Sequence, residues 1–212
     1  MVRSKLIPLG FLSIGVFLLL QVLLPIASFQ IWWWGQQANQ QALVSPNVTS
    51  ENVLGVSVQT QDNFPALISY LKRDTVASYK QFSLTIAKLK IDKAIVEVDS
   101  NDLSNNLAQL PGSALPGEKG NLFISGHSIV GNLLSYRSGL FINLTDLKPG
   151  DEIIVEAQGV KFKYQVSSLR VVDPKDISVV LAPEPMGRYI SLMTCVPPGL
   201  NFKRLIVLGK ML

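Results

Sequence analysis

The 212-residue chain contains only one cysteine and one histidine, and both shortages restrict its chemistry. A single thiol cannot form a disulfide within the chain, and a metal centre built from clustered cysteines and histidines is not expected. Charge is also scarce, at 16% of residues, and the formal net charge is only +4. Because no basic arm or patch is present, nucleic acid is not expected as a partner. We predict no metal and no other cofactor.

Charged residues are absent from Leu6 to Ser50, and residues 6–31 are mostly apolar. A helix that crosses the hydrocarbon core of a bilayer needs about 20 such residues. Trp32–Trp34 follow directly, where an aromatic belt would lie at the headgroups. The pattern therefore predicts a transmembrane anchor over residues 6–34.

Arg3 and Lys5 precede this anchor, and no comparable basic cluster follows it closely. The positive-inside rule then predicts a cytoplasmic N-terminus, residues 1–5, and a single-pass cell-membrane protein with its domain outside the cytoplasm. The alternative is a cleaved signal peptide, whose apolar core usually runs about 7–15 residues before a small-x-small site. This apolar run is longer, and no clean Ala-x-Ala follows it.

The next region, residues 35–80, reads as a linker followed by an N-terminal helical extension. Residues 36–60 are rich in Gln, Asn, Ser and Val. Asn63–Lys80 carries Leu67, Ile68, Leu71 and Val76 at spacings that suit a short helix. We therefore expect a helix here that packs on the following domain.

Residues 81–212 change to short β-type runs separated by turns. The expected strands are Phe82–Ile91, Ala94–Val98, Asn121–Ser125, Glu152–Ala157, Val160–Val172, Tyr189–Thr194 and Arg204–Leu208. Few helical patterns interrupt them. The texture predicts an antiparallel β-barrel or sandwich of about 130 residues.

Cys195 ends one of these apolar runs. A lone thiol outside the cytoplasm is exposed to oxidation, so its presence suggests a chemical role. The alternative is a buried cysteine that acts as a small hydrophobe. His127 follows another run, at a strand-to-loop transition, and supplies the imidazole that nucleophilic acyl chemistry pairs with a thiol.

Arg204 stands nine residues after Cys195. If the two runs are adjacent antiparallel strands, Val196–Lys203 connects them and the two side chains lie about 5 Å apart at Cβ. A guanidinium there can favour the thiolate and donate hydrogen bonds to a developing oxyanion. The alternative is a surface arginine on an edge strand.

These segments resemble the sortase family. Leu192-Met193-Thr194-Cys195, followed by Pro197, Gly199, Asn201 and Arg204-Leu205-Ile206-Val207, is similar to the family's active-site segment. The stretch from Pro111 to Asn121, running into Ser125-Gly126-His127, is similar to the approach to its histidine. Leu140-Phe141, Leu144, Leu147 and Gly150-Asp151 match the segment that follows. The resemblance covers roughly Thr85 to Gly209.

The resemblance implies an all-β fold: a closed eight-stranded sortase-type barrel with short helices over residues 81–212, behind the N-terminal transmembrane helix. It implies a cysteine transpeptidase that cleaves an LPxTG-like sorting signal and transfers the acyl group to an amine, on a cell-wall precursor or a pilin lysine. Cys195 would be the nucleophile, His127 the acid and base, and Arg204 the oxyanion and substrate contact. Thr194, Ser128 and Arg188 are expected to bind substrate or support the site.

The spacing Cys-x-x-Pro-Gly-x-Asn-x-x-Arg is similar to that of pilin-polymerising members, which often carry an N-terminal lid with an Asp-Pro-aromatic motif. Asp62-Asn63-Phe64 lacks the proline of that motif. Two other functions stay open from sequence: a hydrolytic cysteine peptidase that uses the same acyl-enzyme, and an inactive membrane-tethered β-domain that binds without catalysis. The presence of all three candidate catalytic residues argues against the inactive domain.

Overall fold

The computed structural model describes residues 11–21, 23–24, 27–28, 30–31, 35, 56–61, 64–69, 77–130, 137–200 and 202–212. The chain divides into two compact units, Met1–Leu43 and Val44–Leu212. The described residues of the first unit are helical. Within the described parts of the chain, no helix has both the length and the apolar character that crossing a bilayer requires. The expected anchor over residues 6–34 falls partly outside the described residues.

The second unit consists mainly of β-strands joined by turns. In chain order its described strands are β1 (Val56–Gln61), β2 (Phe64–Ser69), β3 (Gln81–Ile86), β4 (Ile91–Glu97), β5 (Leu107–Gln109), β6 (Gly120–Ser125), β7 (Ile129–Val130), β8 (Arg137–Ser138), β9 (Glu152–Ala157), β10 (Val160–Val172), β11 (Arg188–Val196) and β12 (Lys203–Met211). Short 3-10 helices lie between strands at Ala87–Leu89, Leu144–Asp146 and Ile177–Val180.

Eight of these strands close into a barrel in the order β10-β12-β11-β6-β5-β4-β3-β9. The prediction of a closed eight-stranded, all-β domain is therefore confirmed. Local alternation explains several strands: β3 and β9 bury every second residue, because successive side chains of a strand point to opposite faces. Most neighbours are antiparallel, whereas β11 runs parallel to β6 and β4 runs parallel to β5.

The wall formed by β6, β11 and β12 is buried on both faces. Ile190 and Leu192 of β11 point into the barrel, whereas Met193 points outward. The outer face carries an apolar cluster that the 3-10 helix Ile177–Val180 covers; its buried members are Leu110, Phe123, Ile177, Val179, Val180, Met193 and Ile206. Two-sided burial explains why β11 reads as a continuous apolar run rather than an alternating one.

Asn121 of strand β6 hydrogen-bonds to the 3-10 helix that covers this cluster. Its side chain is buried in β6, and its Nδ2 donates to the carbonyl oxygens of Val179 at 3.4 Å and Val180 at 3.1 Å. Side-chain hydrogen bonds thus satisfy carbonyls of a short helix that makes few of its own.

The prediction of a helix is wrong for the first part of Asn63–Lys80, and the prediction of a linker is wrong for residues 56–60. The structure has β2 there, paired antiparallel with β1 from Val56↔Ser69 to Gln61↔Phe64. The apolar residues of a six-residue run fit a strand as well as a helix, and only the pairing with β1 decides between them. Residues 70–76 of the expected helix lie outside the described residues.

The end of this hairpin is held by one amide side chain. Asn101 donates from Nδ2 to the carbonyl oxygen of Ser69 at 3.0 Å and accepts from the Ser69 N–H at 3.3 Å. We expect Asn101→Ala to speed amide hydrogen exchange over residues 64–69, because it removes two hydrogen bonds worth roughly 1 kcal/mol each. Asn143→Ala is the control, since Asn143 is exposed and makes no capping hydrogen bond. Equal exchange in the two variants would contradict this account.

Candidate active site

Three neighbouring strands bring the candidate catalytic residues to one end of the barrel. Strands β6 and β11 are parallel, and their last paired residues are Ser125 and Met193. His127 and Cys195 each follow two residues later. Cys195 is directly opposite Arg204 in the antiparallel pairing of β11 with β12. Because neighbouring strands lie about 4.8 Å apart, the three residues occupy adjacent positions.

Cys195 lies at the edge of the apolar cover. It shares the outer face of the wall with Met193, two residues earlier, and its side chain is only partly exposed. Burial disfavours the charged thiolate and raises the pKa of Cys195 above its usual value. The thiol is therefore mostly protonated at neutral pH.

Arg204 acts in the opposite direction. Its positive charge lowers the pKa of Cys195 and so offsets part of the effect of burial. The guanidinium is buried, and its Nη1 donates to the carbonyl oxygen of Lys203 at 3.2 Å. A buried cation directly across from a thiol is suited to stabilise negative charge that forms there.

His127 is half-buried, and desolvation of the imidazolium lowers the pKa of this residue. Within the described part of the chain, its imidazole makes no hydrogen bond. Its position is set through Gly126, whose N–H donates to the Met193 carbonyl at 3.0 Å. The Thr194 hydroxyl also donates to the Gly126 carbonyl at 2.9 Å.

The two pKa directions together favour a neutral thiol beside a neutral imidazole. A raised cysteine pKa and a lowered histidine pKa both disfavour the thiolate–imidazolium pair that attacks a carbonyl. The reactive form is thus a minor population near neutral pH. Thiol chemistry here depends on how strongly Arg204 favours the thiolate.

The three supporting residues have different positions. The buried Thr194 joins the cysteine strand to the segment before His127 through its hydrogen bond to Gly126. Ser128 is buried as well, and its carbonyl accepts from the Gly139 N–H at 3.0 Å. Thr194 is therefore bonded to the residue before His127, and Ser128 is the residue after it.

Arg188 is the exception: it lies away from the other residues, and its expected contact with substrate stays a prediction that this position does not favour. It begins β11, seven residues before Cys195, which is about 23 Å along an extended strand. Its Nε donates to the Gly117 carbonyl at 2.8 Å, at the opposite end of the barrel. The sequence supplied a basic residue near the active-site run, but strand direction carries it away from the site.

Sequence analysis named Gly126 only as part of the motif that precedes His127, and it did not identify Gly139. The structure places both glycines against the histidine segment. The available signal was a glycine followed by an apolar run, Gly139-Leu140-Phe141, but an isolated glycine has many possible reasons. Among the described residues, no group of three His, Cys, Asp or Glu side chains could hold a metal ion.

The loop after Cys195 contains a cis peptide bond between Val196 and Pro197, and the Leu200 N–H donates to the Pro197 carbonyl at 2.9 Å. The loop turns the chain from β11 into β12, and the pairing of these strands places Arg204 opposite Cys195.

Comparison with known proteins agrees with this geometry. The family model of the sortase domain matches residues 84–212, more than half of the chain. Sortase SrtE1 of Streptomyces coelicolor is 31% identical over 224 residues, which cover 99% of this chain and 57% of that protein. The chain belongs to the sortase family. Cys195, His127 and Arg204 all lie within the matched range.

Solved sortase structures share the fold. The lid mutant of sortase A from Corynebacterium diphtheriae is 31% identical, with a TM-score of 0.56 over 65% of this chain and 72% of that one. The pilus-related sortase C of Group B Streptococcus is 29% identical, with a TM-score of 0.55 over 65% and 69% of the two chains. This chain spans 57 to 61% of the length of the curated sortases that it matches.

The electrostatic role of Arg204 can be tested on the single thiol. We expect Arg204→Gln to move the pH midpoint of iodoacetamide alkylation of Cys195 upward, because the charge that lowers the pKa of this thiol is removed. Arg204→Lys should restore much of the effect. Intact mass of the full chain in detergent reports the reaction, with Cys195→Ala as the background for other groups.

Arg188→Gln is the matched control, since it removes the same charge at the far end of β11. It should leave the midpoint unchanged. An unchanged or lower midpoint in a folded Arg204→Gln protein would contradict the role assigned to Arg204.

Proposed function

We propose that this sortase-family protein is a cysteine transpeptidase that cleaves an LPxTG-like sorting signal and joins its new carboxyl end to an amine. The observation that carries the proposal is the convergence of Cys195, His127 and Arg204 at the same end of β11, β6 and β12. These three groups can serve as the nucleophile, the acid–base group and the oxyanion stabiliser in acyl transfer through a thioester.

In the first half of the reaction, the Cys195 thiolate attacks the carbonyl carbon of the scissile peptide bond. The Arg204 guanidinium stabilises the resulting oxyanion. As the tetrahedral intermediate collapses, the C–N bond breaks and the His127 imidazolium gives its proton to the leaving amine. A thioester to Cys195 and a neutral imidazole remain.

In the second half, the acceptor amine attacks the thioester carbonyl. Neutral His127 takes a proton from the amine, and the C–S bond breaks as the new amide forms. The products are the amide, a Cys195 thiolate and a protonated His127, so the active ion pair is regenerated. Water in place of the amine would give the free acid instead.

The pKa directions indicate how this activity depends on pH. The active pair needs ionised Cys195 and protonated His127, whereas burial raises the pKa of the first and lowers that of the second. The rate should therefore follow a bell-shaped pH profile with a small active fraction at its maximum. We infer a slow enzyme.

The proposed setting is the cell surface. The apolar run of residues 6–34, the tryptophans at its end and the basic residues before it support a single-pass anchor, with the N-terminus in the cytoplasm and the catalytic domain outside. The proposed partners are proteins that carry a sorting signal and an amine acceptor. This acceptor is a cell-wall precursor or a pilin lysine; similarity to a pilus-related sortase C supports the pilin as one candidate.

The test is intact mass of the full chain in detergent after incubation with an LPxTG-type peptide, with and without an added amine. We expect a covalent adduct with the mass of the acyl fragment, which the amine discharges to an amide product. Cys195→Ala should give no adduct, and His127→Ala should lower the rate by at least ~100-fold. Arg188→Gln, which changes a charge far from the site, should act as the wild type.

Discharge to free acid despite abundant amine would support a hydrolytic peptidase instead. If a panel of related signals gives neither adduct nor cleavage and Cys195 resists alkylation in the folded protein, the enzyme assignment is wrong.

A further inference from the structure

The backbone of His127 is contacted from two sides. On one side, strand β11 holds the preceding residue, Gly126, through the Met193 carbonyl and the Thr194 hydroxyl. On the other side, the chain returns over the histidine after β8. There the Gly139 N–H donates to the Ser128 carbonyl at 3.0 Å.

Phe141 makes a further contact with His127 on the side of Gly139. Its N–H donates to the His127 carbonyl at 3.2 Å, and its ring is fully buried. A Cβ on Gly126 would stand 2.6 Å from Phe141 Cδ2 and 2.5 Å from Leu107 Cδ2. Real Cβ atoms do not approach that closely, so Gly126 is fitted against both side chains.

Gly139 is the most crowded point of this arrangement. A Cβ there would stand 2.6 Å from the carbonyl carbon of His127 and 2.9 Å from that of Ser128, and closer still to the His127 carbonyl oxygen. These neighbours are backbone atoms, which cannot rotate away as the end of a flexible side chain can. Any side chain at position 139 must therefore displace the backbone of His127 or of its own segment.

Strands β7 and β8 set this contact. Their pairing, Ile129↔Ser138 and Val130↔Arg137, brings the chain back so that position 139 falls beside position 128.

We propose that Gly139 is a positioning residue of this enzyme: by lacking a side chain, it lets the Gly139–Phe141 segment clamp the backbone of His127 against strand β11. The inference rests on the proposed function for its catalytic consequence. The geometric part, that position 139 controls the placement of the only imidazole in the chain, stands independently of it.

The expected catalytic effect follows from geometry. A substituent at position 139 cannot push the histidine toward β11, because Gly126 is fixed there. The Gly139–Phe141 segment must therefore move away, which weakens its two hydrogen bonds to the histidine segment and lets His127 shift. Displacement of a catalytic group by about 1 Å can cost ~100-fold in rate. Gly139→Ala should therefore lower kcat by ~10- to 100-fold, with a smaller change in KM, because Cys195 and Arg204 lie on other strands.

The experiment uses the untagged full chain in detergent, labelled with carbon-13 at the histidine ring. Because the chain has one histidine, the spectrum contains one imidazole signal and its pH titration reports His127 alone. We expect Gly139→Ala to change the shift of this signal and to raise its titration midpoint toward the ~6.5 of a solvated imidazole. Burial lowers the pKa of His127 in the native protein, and looser packing admits water.

Gly187→Ala is the matched control. Gly187 is also hydrogen-bonded through its backbone, to Gly120 and Glu184, and a Cβ there would collide with the ring of Tyr189 at the far end of the barrel. It should lower thermal stability and leave the histidine signal and kcat unchanged. Phe141→Leu, which loosens the same clamp without a backbone collision, should shift the histidine signal in the same direction as Gly139→Ala.

The outcomes separate the clamp from the proposed function. If the wild type proves inactive, the histidine titration still tests the clamp. An unchanged signal in both Gly139→Ala and Phe141→Leu would overturn the proposal, as would equal losses of kcat in Gly139→Ala and Gly187→Ala. If Gly139→Ala does not fold, the Phe141→Leu titration decides.

Discussion

The site depends on the hydrogen-bonded register of strand β11, which pairs with β6 on one side and β12 on the other. These two pairings place Cys195 across from Arg204 and beside the end of the strand that leads to His127. A slip by one residue would turn Cys195 into the barrel and a buried apolar residue out of it. Because both faces of this wall are packed with apolar side chains, such a slip would set each of them against neighbours of a different shape and disrupt the packing on both faces. The core of the barrel and the geometry of the site are therefore fixed by the same interaction.

That arrangement has a chemical consequence for the nucleophile. The cover that stabilises the outer face also removes water from the thiol and raises the pKa of Cys195. Packing and nucleophilicity thus oppose each other at this position, and Arg204 is the opposing charge. Strand pairing brings the guanidinium to the thiol, so no additional loop has to become ordered to place it there. A cation on a flexible loop could lower the pKa as well, but ordering that loop would cost conformational entropy.

The parts of the structure that sequence could predict are those set by local pattern. The β-type runs predicted β9 (Glu152–Ala157) and β10 (Val160–Val172) with their observed bounds. The nine-residue spacing predicted that Cys195 and Arg204 would be opposite each other if their runs were adjacent strands, as they are. The parts that sequence did not predict depend on contacts between distant segments. Strand β2 exists because β1 pairs with it, and the three residues of β5 are too few for a periodicity. Arg188 lies away from Cys195 because seven residues of extended strand separate them. The contact of Gly139 with the histidine segment depends on the return of the chain to His127.

Holding the histidine through its backbone suits the chemistry proposed for it. In the Ser-His-Asp arrangement a carboxylate fixes one tautomer of the imidazole and stabilises its protonated form. Here, among the described residues, the imidazole has no such partner, and burial instead lowers the pKa of His127. An imidazolium with a lowered pKa gives up its proton more readily, which favours departure of the first amine. Among the residues that the structure describes, neither ring nitrogen donates to a fixed acceptor, so the same side chain can then take a proton from a second amine that arrives in a different position. The cost is that orientation must come from the main chain, and that is why the residues around His127 are constrained to be glycine where a side chain would displace it.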